Sequence, residues 1–249
     1  MVVAARNEAD RIAATLAALR RAFPGASVWV ADDGSRDATA DVARRAGATV
    51  LAGGRSIGKG GAMSAAAHVA LEQAGAPAVG ASTGAGADGD GPVFVLCDGD
   101  LAESAGELGP LAAAVAAGRA DLAVGVFRRR VGGGLGVAVG FARWAIRRRC
   151  GFRARAPISG QRALGARTLR GLLPFAHGYG MEIGMTIDAV RAGARVVEIE
   201  LDLRHRASAR TARGFLHRAR QLVDLVRVHL ARGRAPRVTL RDGGGRPLQ

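Results

Sequence analysis

The 249-residue chain is long enough to bury a sizeable core as one domain, or as one domain with a small appendage. Hydrophobic residues make up 49% of it, yet no run approaches the ~18 apolar residues of a membrane-spanning helix, and no secretory leader pattern is seen, so neither spanning nor export is expected. The formal net charge of +15, from 36 basic and 21 acidic residues, favours anionic partners such as phosphates.

Alternating strands and helices follow, the α/β pattern of a mainly parallel sheet with helices on its faces. Met1 to Ala5 is a short apolar strand that begins almost at the initiator, which leaves open a missing first part. Ile12, Leu16, Leu19 and Phe23 then recur at helical spacing. Ser27 to Ala31 reads as a strand, Ala38 to Ala46 as a helix, Ala48 to Leu51 as a strand and Gly60 to Gln73 as a helix. Gly75 to Gly91 is dominated by Gly, Ala and Ser and reads as a flexible surface insertion, because it offers little surface to bury. Pro92 to Cys97 is a strongly apolar strand, Glu103 to Ala117 a helix and Ala120 to Val126 a strand. Beyond a Gly-rich stretch, Val131 to Gly136, come a helix at Val137 to Arg149 and a loop at Arg155 to Gly160. Met181 to Arg191 and Arg195 to Leu201 form a last helix and strand, followed by a long amphipathic helix from Arg213 to Arg232. The expected organisation is a catalytic domain over 1–210, with the insertion at 75–91, and an amphipathic helix and tail over 211–249.

All basic residues but Lys59 and the histidines are Arg, and Ala and Gly are abundant, so a coding bias inflates the charge. Aromatics are only 4% and do not interleave with the basic residues, so no specific nucleic acid is expected. Cys97 and Cys150 match no zinc or redox spacing and read as structural. The expected compartment is the cytoplasm, at most peripherally at the inner membrane face.

Four constellations carry chemistry. Asp32-Asp33-Gly34-Ser35-Arg36-Asp37 ends a strand, at the edge where open α/β sheets bind ligands. Its carboxylates can accept hydrogen bonds from a nucleobase or ribose, while Ser35 or Asp37 also suits a helix cap. Asp98-Gly99-Asp100 ends the apolar strand. Two acids one small residue apart can face one Mg²⁺ or Mn²⁺ bridging a diphosphate, and the same triplet also reads as a turn. Arg55 to Gly60 is a Gly-flanked basic loop opening a helix, where Lys59 and backbone N–H groups can meet a phosphate. Gly178-Tyr179-Gly180-Met181-Glu182-Ile183-Gly184 sets Glu182 among small and apolar residues near a helix start, with Asp188 and His205-Arg206 further on.

Val2-Val3-Ala4-Ala5-Arg6-Asn7-Glu8 resembles the opening strand and Asn-Glu of family 2 glycosyltransferases, and Asp32-Asp33-Gly34-Ser35 with Asp37 and Thr39 resembles their nucleotide loop. Asp98-Gly99-Asp100 is similar to their metal motif. Gly58-Lys59-Gly60, Phe127-Arg128-Arg129, Pro157-Ile158-Ser159-Gly160, Leu173-Pro174-Phe175 and the Gly178 to Gly184 run, with Ile187-Asp188 and His205-Arg206, resemble the bacterial glucosyl-3-phosphoglycerate synthases. Polyprenyl-phosphate sugar transferases are the wider relatives.

The resemblance implies a GT-A fold and a nucleotide-sugar site of Ala5, Glu8, Asp32, Asp33, Lys59, Asp98 and Gly99. It implies Mg²⁺ or Mn²⁺ on Asp100 and His205, with Asp98 in direct or water-mediated support. Glu182 is implied as the catalytic residue at the sugar or acceptor end, and Arg128, Ser159, Gly160 and Tyr179 as acceptor contacts. The donor implied is an NDP-hexose such as UDP-glucose. Leu135, Val137 and Ala207 stand where the synthases grip phosphoglycerate, so a different acceptor is expected, a polyprenyl phosphate or another phosphorylated compound. Phe215, Leu222, Val226 and Leu230 line one face of 213–232 amid Arg, which suits membrane-surface contact or ordinary packing on the sheet. A homodimer is a further expectation. A glucosyl-3-phosphoglycerate synthase proper is the alternative within the family, and a nucleotidyltransferase or a non-catalytic basic binding protein the alternatives from other classes.

Overall fold

The computed structural model describes residues 1–75, 91–128, 136–203 and 223–233. Among these, seven strands form one sheet: β1 (Val2–Ala5), β2 (Trp29–Asp32), β3 (Thr49–Ala52), β4 (Val93–Asp98), β5 (Leu122–Phe127), β6 (Arg162–Gly165) and β7 (Val196–Leu201). Their spatial order is β3-β2-β1-β4-β6-β5-β7. β6 runs antiparallel to both β4 and β5, and the other neighbours are parallel.

The central strands are apolar at successive positions because both faces of the sheet are covered. Val3, Val28, Val30, Val95 and Cys97 enter the core that packs under α1 (Ile12–Ala22) and α4 (Gly109–Ala116). Their alternate neighbours Val2, Trp29, Ala31, Phe94 and Leu96 enter the opposite core, under α3 (Lys59–Gly75), α6 (Ala166–Leu172) and α7 (Met181–Arg191). A two-residue period thus feeds two layers. A third cluster joins α7 to α5 (Val137–Cys150) and to the helical residues 223–233 through Ile146, Ile183, Ile187, Leu225 and Val228.

α2 (Thr39–Arg45) completes the expected early elements, and the strand and helix boundaries shift by one or two residues. Three differences are larger. Gly75, expected to open the insertion, closes α3, and 76–90 lie outside the described residues. The expected helix from Glu103 to Ala117 divides into a 3-10 segment, Ala102–Leu108, and α4, with Pro110 in the first turn of α4. There the missing N–H of proline costs nothing. β6 and α6 were not anticipated: β6 is four residues long and starts with Arg162, which gives it no apolar run to notice.

Strand register sets up the site. Ala5 pairs with Asp32 across β1 and β2, and Ala4 pairs with Asp98 across β1 and β4. Both acids therefore stand at one carboxyl edge, flanking β1. The chain turns out of this edge at Gly99, whose N–H donates to Ala4 O at 2.8 Å.

Candidate active site

At the edge beside β2, loops lock the two acids. Asp32 Oδ1 accepts from Ser35 N at 2.9 Å and Ser35 Oγ at 2.5 Å. Asp33 Oδ1 accepts from the backbone N–H groups of Ile57 and Gly58 at 2.7 and 2.8 Å, while its Oδ2 accepts from Ser56 Oγ at 2.8 Å. Arg6 lies 3.5 Å from the same carboxylate. Charge-assisted bonds of this kind explain how two neighbouring acids, both buried, sit side by side. Asn7, with a positive φ of 56°, ties in the opening loop: its N–H donates to Ser35 Oγ and its Oδ1 accepts from Arg36 N. Glu8 N donates to Thr39 Oγ1 at 2.9 Å, and Ala5 O accepts from Asp33 N at 3.0 Å. Asp37 bonds Thr39 N and Ala9 N, joining this loop to the start of α2.

Beyond β1, Lys59 is the junction. Its Nζ donates to Asp98 Oδ1 at 2.6 Å and to Glu182 Oε1 at 2.7 Å. Burial works against the ammonium charge, but the Coulombic pull of Asp98 and Glu182 and their hydrogen bonds outweigh it, holding Lys59 above the ordinary lysine value. The flanking glycines allow this approach. Gly58 has φ +83°, and a Cβ on Gly60 would lie 1.8 Å from Ala176 O, so the start of α3 fits against the segment leading to Glu182 only without side chains.

Asp98 is held on its other side by Gln161, whose Nε2 donates to Oδ2 at 2.8 Å. Ser159 Oγ donates to Gln161 Oε1 at 3.0 Å, fixing the amide. Gly160 lets the backbone pass: a Cβ there would stand 2.5 Å from Asp98 Oδ2 and 2.8 Å from Lys59 Nζ. Beneath this loop the fully buried Arg162 donates from Nε to Ser159 O at 2.9 Å and from Nη1 to Thr186 Oγ1 at 3.0 Å. Among the described residues its Nη2 has no hydrogen-bond partner. Burial lowers its pKa to about 10, against the opposing pull of Glu182, Glu198 and Asp98. Lys59 bridges the half-buried Asp98 and the buried Glu182, while Arg162 lies near enough for the charges of Glu182 and Asp98 to act on it.

The fold thus gathers Lys59, Asp98, Gly160 and Glu182 directly, and Ser159 through Gln161. Ala5, Asp32, Asp33, Gly99 and Asp100 share the same sheet edge, and Glu8 lies in the loop that follows β1. Tyr179 is half-buried beside Glu182's helix, its N–H donating to Asp224 Oδ2 at 3.2 Å. Arg128 stands apart: it is exposed after β5, and its N–H donates to Leu201 O. His205 lies outside the described residues. Gln161 and Arg162 were missed by sequence reasoning. The one available signal was their position directly after Pro157-Ile158-Ser159-Gly160.

No curated protein sequence matches the chain. Solved structures of glucosyl-3-phosphoglycerate synthase from Mycobacterium tuberculosis do. The complex with Mn²⁺, UDP and glucosyl-3-phosphoglycerate superposes with a TM-score of 0.69 at 24% identity, over 98% of this chain and 80% of that one. The complex with Mg²⁺ and UDP gives the same four values. The complex with Mn²⁺, UDP-glucose and phosphoglyceric acid gives 0.68 at 25%, over 98% and 80%. The fold is therefore of the GT-A type. The family model for glycosyl transferase family 2 matches residues 1–139, the stretch that contributes Asp33, Lys59 and Asp98 to the sheet edge just described, and the chain belongs to that family.

Proposed function

We propose that this enzyme moves a hexose from a nucleotide sugar resembling UDP-glucose to a phosphorylated acceptor, with Mg²⁺ or Mn²⁺ held at Asp100. The observation that carries this reading is Lys59 bridging Asp98 and Glu182, which joins the diphosphate end of a donor site to a buried carboxylate facing the sugar end. Asp32, Asp33 and Glu8 line the nucleoside end.

The chemistry of the donor set fits the cation. Among the described residues no three His, Cys, Asp or Glu side chains converge into a metal cage. Magnesium needs none, because it takes one or two protein carboxylates together with substrate phosphate oxygens. Both oxygens of Asp98 already accept hydrogen bonds, from Lys59 and Gln161. As the resemblance implies, the direct protein ligand is assigned to Asp100 with His205, and Asp98, tied to Lys59 and Gln161, gives direct or water-mediated support. When bound, the cation neutralises charge on the departing nucleoside diphosphate.

Lys59 adds a second, fixed positive charge beside the diphosphate. Ser159, Gly160, Tyr179 and, more remotely, Arg128 are assigned to the acceptor end. A lipid-linked or other phosphate acceptor is ionised at neutral pH and attacks without a base, whereas a hydroxyl acceptor hands its proton to Glu182 or to the donor phosphate. The solved neighbours bind phosphoglyceric acid, which supports a phosphorylated acceptor as the class.

The test is a panel of nucleotide sugars incubated with Mn²⁺ and no acceptor, scored for slow hydrolysis. UDP released from UDP-glucose, and lost in Asp100→Ala, is the expected result. Pyrophosphate release, or turnover indifferent to metal, would overturn the reading.

A further inference from the structure

We propose that the outer face of α5, with the adjoining 223–233 helix, is a docking surface for an anionic lipid bilayer. This goes beyond the donor reading and is tested without it.

The inner face of α5 is ordinary core: Ala142, Ala145 and Ile146 are fully buried. Its outer face is not. Val137 and Trp144, two helical turns apart and on one side of the helix, are 59% and 51% exposed. Across the helix pair, Leu230 is 60% exposed and follows His229, whose ring centroid lies 4.7 Å from that of Trp144. Phe141 packs on the same indole at 5.4 Å. Trp144 is thus propped outward by two rings, presenting a fixed apolar shelf.

Charge decides the occupant. α5 contains no acidic residue, and Arg143, Arg147 and Arg148 surround Trp144 on its exposed side. A second copy of the chain meeting this face about a two-fold axis would set like charges against each other. An anionic bilayer supplies the opposite charge over the whole face, and Trp is favoured at the membrane–water boundary, where its ring meets headgroups. Long Arg side chains reach the phosphates while their stems cover apolar surface. The same 223–233 helix supplies Asp224, which accepts from Tyr179 N at the acceptor end of the site.

The full chain should co-sediment with phosphatidylcholine vesicles that contain phosphatidylglycerol and not with pure phosphatidylcholine vesicles. Of the two tryptophans, Trp29 is 6% exposed, so a blue shift of emission on binding reports Trp144. Arg147→Gln with Arg148→Gln should weaken vesicle binding by on the order of thirtyfold, and Trp144→Ser should weaken co-sedimentation with the anionic vesicles. Metal-dependent UDP binding should be unchanged in both variants. Absence of binding to the anionic vesicles, binding unaltered in both variants, or a lipid-free dimer that shields Trp144 would each overturn the proposal. None of these outcomes touches donor hydrolysis, so the two readings fail separately.

Discussion

Asp33 is fixed by donors from Ser56 to Gly58, at most 25 residues away in sequence, whereas Glu182 is fixed by Lys59, 123 residues away. The two carboxylates represent two halves of one sheet. On the β3-β2-β1-β4 side, parallel strands deliver acids to a common edge, and short loops satisfy them with backbone N–H groups. On the β6-β5-β7 side, an antiparallel strand brings in Gln161 and Arg162, and α7 brings in Glu182. Here side chains do the holding: Lys59 holds Glu182 and Gln161 holds Asp98, contacts that cross between the halves. A half anchored by its own backbone keeps its geometry under substitution of side chains, while a half held by mutual ion pairs changes as a unit.

Removing the junction should expose that contrast most strongly. Lys59→Met leaves Asp98 and the buried Glu182 facing each other without their cation. Loss of donor hydrolysis on the order of a thousandfold is expected, with a stability loss of about 3 kcal/mol in urea unfolding. Adding Glu182→Met should recover most of the stability and none of the activity. If the double variant stays as unstable as the single one, the cluster is not a coupled pair.

A smaller effect is expected from Gln161→Leu, which withdraws the donor to Asp98 Oδ2. Turnover should fall about tenfold and stability by about 1 kcal/mol, while UDP affinity in the absence of metal stays as it was, because Asp33 and its loop are untouched. Equal losses in metal-free UDP binding would blur the boundary between the halves.

The smallest effect belongs to the periphery of the second half. Asp121 accepts from Arg195 N, Nε and Nη2 at 2.7, 3.1 and 2.9 Å, clipping the start of β5 to β7. Hydrogen bonds from the Arg195 side chain hold its carboxyl below the ordinary carboxylate range. A depressed pKa means that the stabilisation is present above the ordinary value of about 3.9 and is lost as pH falls through the folded-state value. Asp121→Asn should cost no more than about 1 kcal/mol at neutral pH, since the pair is at the surface. It should flatten the acid limb of the stability curve and leave donor hydrolysis unchanged.

The same contrast governs what could be read from the residues alone. Asp32-Asp33, Lys59 and Asp98-Gly99-Asp100 each close a strand or open a helix, so periodicity and loop chemistry locate them on one edge. Glu182 was legible as a buried acid near a helix start, but not its partner, because no local pattern encodes a contact between α3 and α7. Arg162 was invisible for a further reason: charge ordinarily marks a surface, and here the guanidinium is buried, its burial only partly offset by Ser159 O, Thr186 Oγ1 and the nearby acids. The four-residue β6 went unseen with it. Residues 76–90 of the expected insertion at 75–91, and His205, lie outside the described residues.

The most direct measurement is a calorimetric titration of UDP with and without Mn²⁺, on the unaltered chain and on Asp100→Asn. Metal should tighten UDP binding at least about tenfold in the unaltered chain, and Asp100→Asn should lose that increment while keeping the metal-free affinity. An undiminished metal increment in Asp100→Asn would contradict the assignment of the cation to Asp100, and with it the donor site built around Lys59 and Asp98.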